Sequence, residues 1–188
     1  MTERDGGRAS SPASLAAAGG PRFAIRRLVP DEAALFRALR LEALERHPEA
    51  FGASLEDEAA QPDSWFAARL EAGIVLAGWL PGMEAPAGLM ALALPRAEKT
   101  RHKGLLWSVY LRPEARGHGL APALLSAVLA EARGRVEEVR LSVVAGNDRA
   151  RRLYERAGFT AWGLEPRALK LGGRYYDEVL MRFRFPGG

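Results

Sequence analysis

The stretch Leu111–Ala132, LRPEARGHGLAPALLSAVLAEA, sets Gly117 and Gly119 one residue apart and then Pro122 at the head of an Ala/Leu-rich segment. Glycine and proline are the residues that a helix interior tolerates least, so their place here marks a beginning. In a first turn Pro122 costs no helical hydrogen bond, because the first N–H groups of a helix have no internal acceptor. Glycines just upstream remove the side chains that would hold a ligand off those N–H groups. The helix dipole adds partial positive charge at the same end, and Arg112 and Arg116 flank it. The stretch therefore predicts a strand, a glycine turn and a helix whose first turn, Leu120–Ala123, forms an anion site, above all for phosphate. A plain tight turn is the alternative, since glycine-rich turns are common. The loop ending in Gly-Lys-Ser/Thr and the dinucleotide fingerprint GxGxxG are both excluded, the second because Pro122 occupies the third glycine position.

Apolar patterning places this unit in one mixed α/β chain. A short strand is expected at RFAIRRLVP through Phe23, Ile25 and Leu28, then a helix capped by Asp31 that carries Leu35, Phe36, Leu39 and Ala43 and ends near Pro48. A second helix, DSWFAARLEA, stops at Gly73. GIVLAGWL and AGLMALAL, separated by PGMEAP, read as an antiparallel hairpin, and GLLWSVYL as the next strand. After the glycine-led helix come a strand EVRLSVVA, a helix NDRARRLYERAG and two strands, FTAWGL and RYYDEVLMRFRF. No period repeats. The order predicts antiparallel pairs and at least one strand–helix–strand crossover. Residues 1–21, Gly/Ala/Ser-rich and without periodicity, are expected to be a flexible tail, and residues 22–188 a single domain.

Composition excludes more than it selects. A chain of 188 residues with 48% hydrophobic and 27% charged residues has the profile of one soluble domain. No stretch is long and apolar enough to span a bilayer, and Glu3 and Asp5 break the basic start of a secretory signal. With no cysteine there is no disulfide, thiolate metal site or cysteine nucleophile, and a cytoplasmic location is the expectation. The net charge of +4 permits an anionic partner. However, only Lys99, Lys103 and Lys170 of the 27 basic residues are lysines, a bias that a GC-rich genome produces by itself.

VYLRPEARGHGLAPALL followed by LSVVAGNDRARRLYERAGF resembles the GNAT superfamily of N-acetyltransferases. Its acyl-CoA motif, Arg/Gln-x-x-Gly-x-Gly/Ala, is matched by Arg116, Gly119 and Ala121. Its second signature, Asn-x-x-Ala-x-x-Leu-Tyr-x-x-x-Gly-Phe, is matched by Asn147, Ala150, Leu153, Tyr154, Gly158 and Phe159. The likeness extends over about Phe23–Phe185, and PEAFGASLEDE and GRYYDEVLM resemble a recurring bacterial branch. It implies the GNAT acyl-CoA N-acyltransferase fold. That is a mostly antiparallel sheet of six to seven strands flanked by about four helices, with strands splayed at the CoA site.

The resemblance implies acetyl-CoA as co-substrate, no metal, and an amine of a small molecule or peptide as acceptor. Backbone N–H groups of Arg116, Gly117, His118, Gly119, Leu120 and Ala121 would hold the pyrophosphate, with one donor fewer than usual at Pro122. The pantetheine arm would pair along Val109, Tyr110 and Leu111 like an added strand and reach Asn147 and Ala150. A backbone N–H of the SVYL strand would stabilise the tetrahedral oxyanion. Tyr154 stands at the family's general-acid position for the departing thiolate, although its i, i+3, i+4, i+7 spacing with Ala150, Leu153 and Ala157 also suits a core residue. Asn147 suits a helix cap as well as a pantetheine contact.

The general base does not carry over. LLWSVYL lacks the glutamate that many relatives place there, and Ser142 stands where relatives acting on a ribosomal protein's N-terminal alanine have glutamate. Glu56, Glu58, Asp177, Glu178, His102 and His118 remain, each equally readable as a solvated group, and a water chain is open as well. Phe51, Trp65 and Tyr176 are candidates for the acceptor pocket wall. The family allows a homodimer. Two other classes compete: a non-catalytic acetyl-CoA-binding or sensory protein, for which the missing glutamate speaks, and a basic nucleic-acid-binding module. The second lacks helix-turn-helix, zinc-ligand or interleaved aromatic signals, so neither nucleic acid nor membrane is expected as a partner.

Overall fold

The computed structural model describes residues 23–187, so the segment expected as a tail lies outside the described residues. Strand β1 (Ala24–Arg27) is followed by α1 (Ala33–Arg46), α2 (Leu55–Ala59) and α3 (Asp63–Ala72). Then come β2 (Ile74–Trp79), β3 (Gly88–Ala93) and β4 (Lys103–Leu111). The chain closes with α4 (Leu120–Ala132), β5 (Glu138–Val144), α5 (Asp148–Arg156), β6 (Thr160–Leu171) and β7 (Arg174–Arg184). The seven strands form one sheet in the order β1-β2-β3-β4-β5-β7-β6. Every neighbouring pair is antiparallel except β4 and β5. α4 makes the crossover between those two, since a parallel pair needs a long connection.

Helices cover both faces. On one side Leu120, Leu124, Leu125 and Val128 of α4 and Tyr154 of α5 pack with Ile74, Met90, Leu92, Val139 and Met181 from the sheet. Each large aliphatic side chain buried there contributes about 1.5–3 kcal/mol. On the other side Phe36 and Leu39 of α1 and Phe66 and Leu70 of α3 pack on Val75, Ala77, Leu89 and Tyr110. The near-continuous apolar runs of β2 and β3 follow from this double cover, for both strands are buried on both faces.

Three sequence expectations change. Five α-helices replace about four, because Ser54 caps a short additional one by accepting a hydrogen bond from Asp57 N (3.1 Å). Asp31 does not cap α1. Pro30–Glu32 form a 3-10 turn, and the Glu32 carboxylate accepts from Val29 N (3.1 Å) and pairs with Arg26 (2.6 Å). β6 runs seven residues beyond FTAWGL, through Pro166. It is an edge strand whose pairing with β7 is irregular between Glu165 and Leu169, the setting in which a strand accepts proline.

The seat of α4 depends on one glycine. A Cβ at Gly78 would stand 2.6 Å from Leu120 Cδ1 and 3.3 Å from its Cγ. A Gly78→Val substitution is therefore expected to destabilise the protein by about 1–3 kcal/mol through overpacking. Thermal unfolding checks this, and an unchanged Tm would show that α4 shifts freely.

Candidate functional site

Parallel pairing of β4 with β5 covers only Lys103–Leu105 against Glu138–Arg140. Beyond it β4 bulges: Tyr110 faces Leu89 while Trp107 faces Ala91, so one extra residue enters β4. The bulge residue Ser108 has φ 54°, uncommon for a residue with a side chain. A bulge bends its strand and raises its twist. Here β4 and β5 separate beyond their short pairing, and a cleft of about 1520 Å³ lies there.

The glycine-led helix start forms one wall. Gly117 and Gly119 have φ 84° and 82°, and a Cβ on either would meet almost nothing. The left-handed backbone, not crowding, is what calls for glycine there. α4 begins at Leu120, has no side-chain cap, and holds Pro122 as its third residue. The Ala123 N–H donates to Gly119 O (3.3 Å), one residue past the proline. Gly117, Gly119, Leu120 and Ala121 line the cleft together with Val109, Tyr110 and Leu111 of β4 and Ala150 of α5. Asn147 lines it too, and its Oδ1 accepts from Ala150 N (3.1 Å), so it caps α5.

Charge in the cleft is unbalanced toward the positive. Arg116, Arg133, Arg149, Arg156 and Arg174 line it, against Glu49 and Asp177. Only Arg116 was singled out by sequence. Arg149 and Arg156 are seven residues apart on one face of α5, but Arg151 and Arg152 between them hide that pattern. Arg112, expected as flanking charge, is engaged elsewhere. Its Nη2 and Nε donate to Glu42 Oε2 at 2.7 and 3.0 Å, and Glu42 Oε1 also accepts from the Tyr110 hydroxyl at 2.9 Å. Burial pushes the Glu42 carboxyl upward, but the bonds from Arg112 and Tyr110 outweigh it and leave it below the usual range. Burial, then the bond to Glu42, raises the Tyr110 phenol to about 12.

The other sequence candidates divide. Phe51, Tyr176 and Asp177 line the cleft, and Asp177 Oδ1 accepts from Arg167 N (2.8 Å). His118 is exposed and is not among the lining residues. Glu56 is exposed, while Glu178, Trp65 and His102 also lie outside the lining. Glu58 is buried in a pair with Arg40. Tyr154 is only 4% exposed, sits beside Phe159, and is not among the lining residues, although Ala150, Leu153 and Ala157 around it are. Burial raises its pKa well above the ordinary phenol value. Two groups that sequence reading missed, His47 and Glu49, also line the cleft. Arg116 Nη2 lies 3.1 Å from His47 Nε2, and since arginine only donates, that nitrogen accepts. Among the described residues no three His, Cys, Asp or Glu side chains gather as for a metal, and no helix is long and apolar enough to cross a membrane.

The seven-stranded mixed sheet thus opens between its parallel strands beside an uncapped helix start, with arginines around the opening. Residues 33–159 match the family described as the Acetyltransferase (GNAT) family, and the chain belongs to that family. Over 136 residues, 68% of this chain, it is 36% identical to a mycothiol acetyltransferase of Thermobispora bispora. The chain spans under half the length of the curated relatives it matches. Among solved structures, a GNAT-family acetyltransferase from Streptococcus pneumoniae shares the fold with a TM-score of 0.75 at 24% identity, over 87% of this chain and 99% of that one. A putative acetyltransferase from Salmonella typhimurium, solved with its cofactor acetyl-CoA, gives 0.72 at 22% identity, over 89% and 96%.

The Glu42 cluster sets a pH dependence. Its folded pKa lies below the unfolded value, so the stability it contributes is present above the unfolded pKa and is lost as pH falls through the folded one. Glu42→Gln is expected to cost about 1 kcal/mol or less at pH 7, since the group is partly solvent-screened. Urea unfolding at pH 7 and pH 3 checks it, with the difference from the native protein shrinking at the lower pH.

Proposed function

We propose that the protein transfers the acetyl group of acetyl-CoA to a primary amine of a small molecule or peptide, by direct attack in a ternary complex. The observation that carries this reading is the opening between β4 and β5, which runs into an uncapped, glycine-led helix start in an arginine-lined cleft. Backbone N–H groups of Gly117–Ala121 and the Arg116 guanidinium bind the pyrophosphate. The edges of Val109–Leu111, left by β5, accept the pantetheine arm as an added strand, and Asn147 flanks it. The amine lone pair attacks the thioester carbon, a β4 backbone N–H holds the oxyanion, the nitrogen sheds its extra proton to solvent, and the C–S bond breaks. Tyr154 gives its proton to the departing sulfur. Burial keeps the phenol protonated, as a proton donor must be, but also makes it a weaker acid, so the role rests on Tyr154 standing at the family's general-acid position.

An ammonium must lose a proton before it attacks, and the acids and histidine that line the cleft are Asp177, Glu49 and His47. The reading assigns the role to none of them, and the acceptor lies between Phe51 and Tyr176. A second reading, an acetyl-CoA-binding protein without transfer, draws on the absence of glutamate on β4 and at Ser142, and on the enclosed position of Tyr154. A thiol-release assay with acetyl-CoA against polyamines, aminoglycosides, amino acids and N-terminal peptides separates the two. Transfer to any amine supports the first reading. Tight binding of acetyl-CoA with no acetylated amine supports the second.

Two substitutions test the roles. Tyr154→Phe is expected to lower kcat by about a hundredfold while calorimetry shows the same acetyl-CoA affinity, and unchanged turnover would mean that the sulfur takes its proton elsewhere. Gly119→Glu is expected to abolish acetyl-CoA binding, by forcing a side chain onto a left-handed backbone and a negative charge toward the phosphates.

A further inference from the structure

We propose that the buried pair Arg40–Glu58 is a positioning device for the reaction, fixing the β4 bulge so that the Val109 N–H is aimed at the acetyl carbonyl. The inference rests on the proposed acetyl transfer and names which groups set its geometry. Arg40 on α1 meets Glu58 on α2 through two bonds of 2.8 Å, from Nε to Oε2 and from Nη2 to Oε1. The two side chains are only 5% and 8% exposed. A buried bidentate pair of this kind is weak evidence for stability, since apolar replacements often serve as well. Its third contact gives it another use. Arg40 Nη1 donates to the Ser108 hydroxyl (3.3 Å), and Ser108 is the bulge residue with φ 54°.

Few residues with a side chain hold a left-handed backbone without support, and such strain persists only where the surroundings over-determine it. Arg40 supplies that support. Its guanidinium is held between two rings, 5.0 Å from Phe51 and 5.7 Å from Trp107. Trp107 precedes the bulge, and Phe51 lines the cleft. One side chain thus ties the acceptor wall to the strand that receives the thioester. Val109 follows Ser108 and lines the cleft where β4 has already parted from β5, so its amide direction depends on the Ser108 dihedrals.

The test uses the full chain and three variants. Ser108→Ala removes the hydroxyl and leaves the ion pair, and Ser108→Gly removes the hydroxyl but allows the left-handed backbone unaided. Arg40→Met with Glu58→Leu removes both charges together and so avoids an unpaired buried charge. In the native protein acetyl-CoA is expected to slow Val109 amide exchange, followed by NMR, about tenfold more than CoA does, the difference being one added hydrogen bond. Ser108→Ala is expected to lose that difference and to lower kcat about tenfold or more, as small misplacements do, with acetyl-CoA affinity unchanged. Ser108→Gly is expected to restore both, and the double variant to lower kcat as Ser108→Ala does. Native kcat and a native exchange difference in Ser108→Ala overturn the proposal, as does a glycine variant no better than alanine. If the native protein acetylates no amine but Val109 responds as described, acetyl transfer falls and with it the pair's role in the reaction, leaving only its hold on the amide that meets the bound acetyl carbonyl. If amines are acetylated and Val109 does not distinguish acetyl-CoA from CoA, the positioning device falls alone.

Discussion

Three residue pairs hold β4 to β5, and the cleft exists because the pairing stops there. Continued pairing would have filled the gap with backbone hydrogen bonds, and α4 would have started against a closed sheet. The extra residue at Ser108 bends β4 away, while β5 stays paired with β7 along its whole length, from Glu138 with Arg184 to Val144 with Glu178. One strand is therefore fixed and the other diverted. Backbone groups left open in that wedge need partners, which the proposed pantetheine arm would supply.

The same divergence aligns the second half of the site. Because α4 makes the crossover between the two parting strands, its start opens into the wedge and its apolar face stays on the sheet. Burial of Leu120, Leu124 and Leu125 anchors the helix, and that anchorage leaves its first N–H groups bare without loosening the fold. α5 adds Asn147 and Ala150 from the other strand's exit. Stability and function are thus drawn from opposite ends and faces of the same helices. The Glu42–Arg112–Tyr110 cluster braces α1 against β4 just before the turn that leads to the glycines.

Much of this was legible in the sequence where a local rule decides the outcome. Gly117, Gly119 and Pro122 fix a helix start through backbone chemistry alone, and α4 begins at Leu120 as that chemistry demands. The strand runs of β2 to β5 and the helix at Asp63–Ala72 were readable from period and punctuation. What escaped depends on tertiary neighbours. Arg112 reads as free charge until Glu42, 70 positions away, is folded against it. The Ser108 bulge carries no glycine to announce it. Glu58 reads as a solvated acid because its partner Arg40 is 18 residues off on another helix. His47 and Glu49 gave no signal at all, for they enter the cleft only because the chain turns at Pro48.

The proposed acetyl transfer requires the bare start of α4 to hold the pyrophosphate and the parted strands to hold the pantetheine arm. Calorimetric titration of the full chain with acetyl-CoA and with S-acetylpantetheine, which lacks the nucleotide and its phosphates, tests that division directly. Acetyl-CoA is expected to bind with a Kd at least about a hundredfold lower, a difference of about 2.7 kcal/mol, and raised salt should narrow the gap. Equal affinity for the two compounds, or no heat with either, would contradict it.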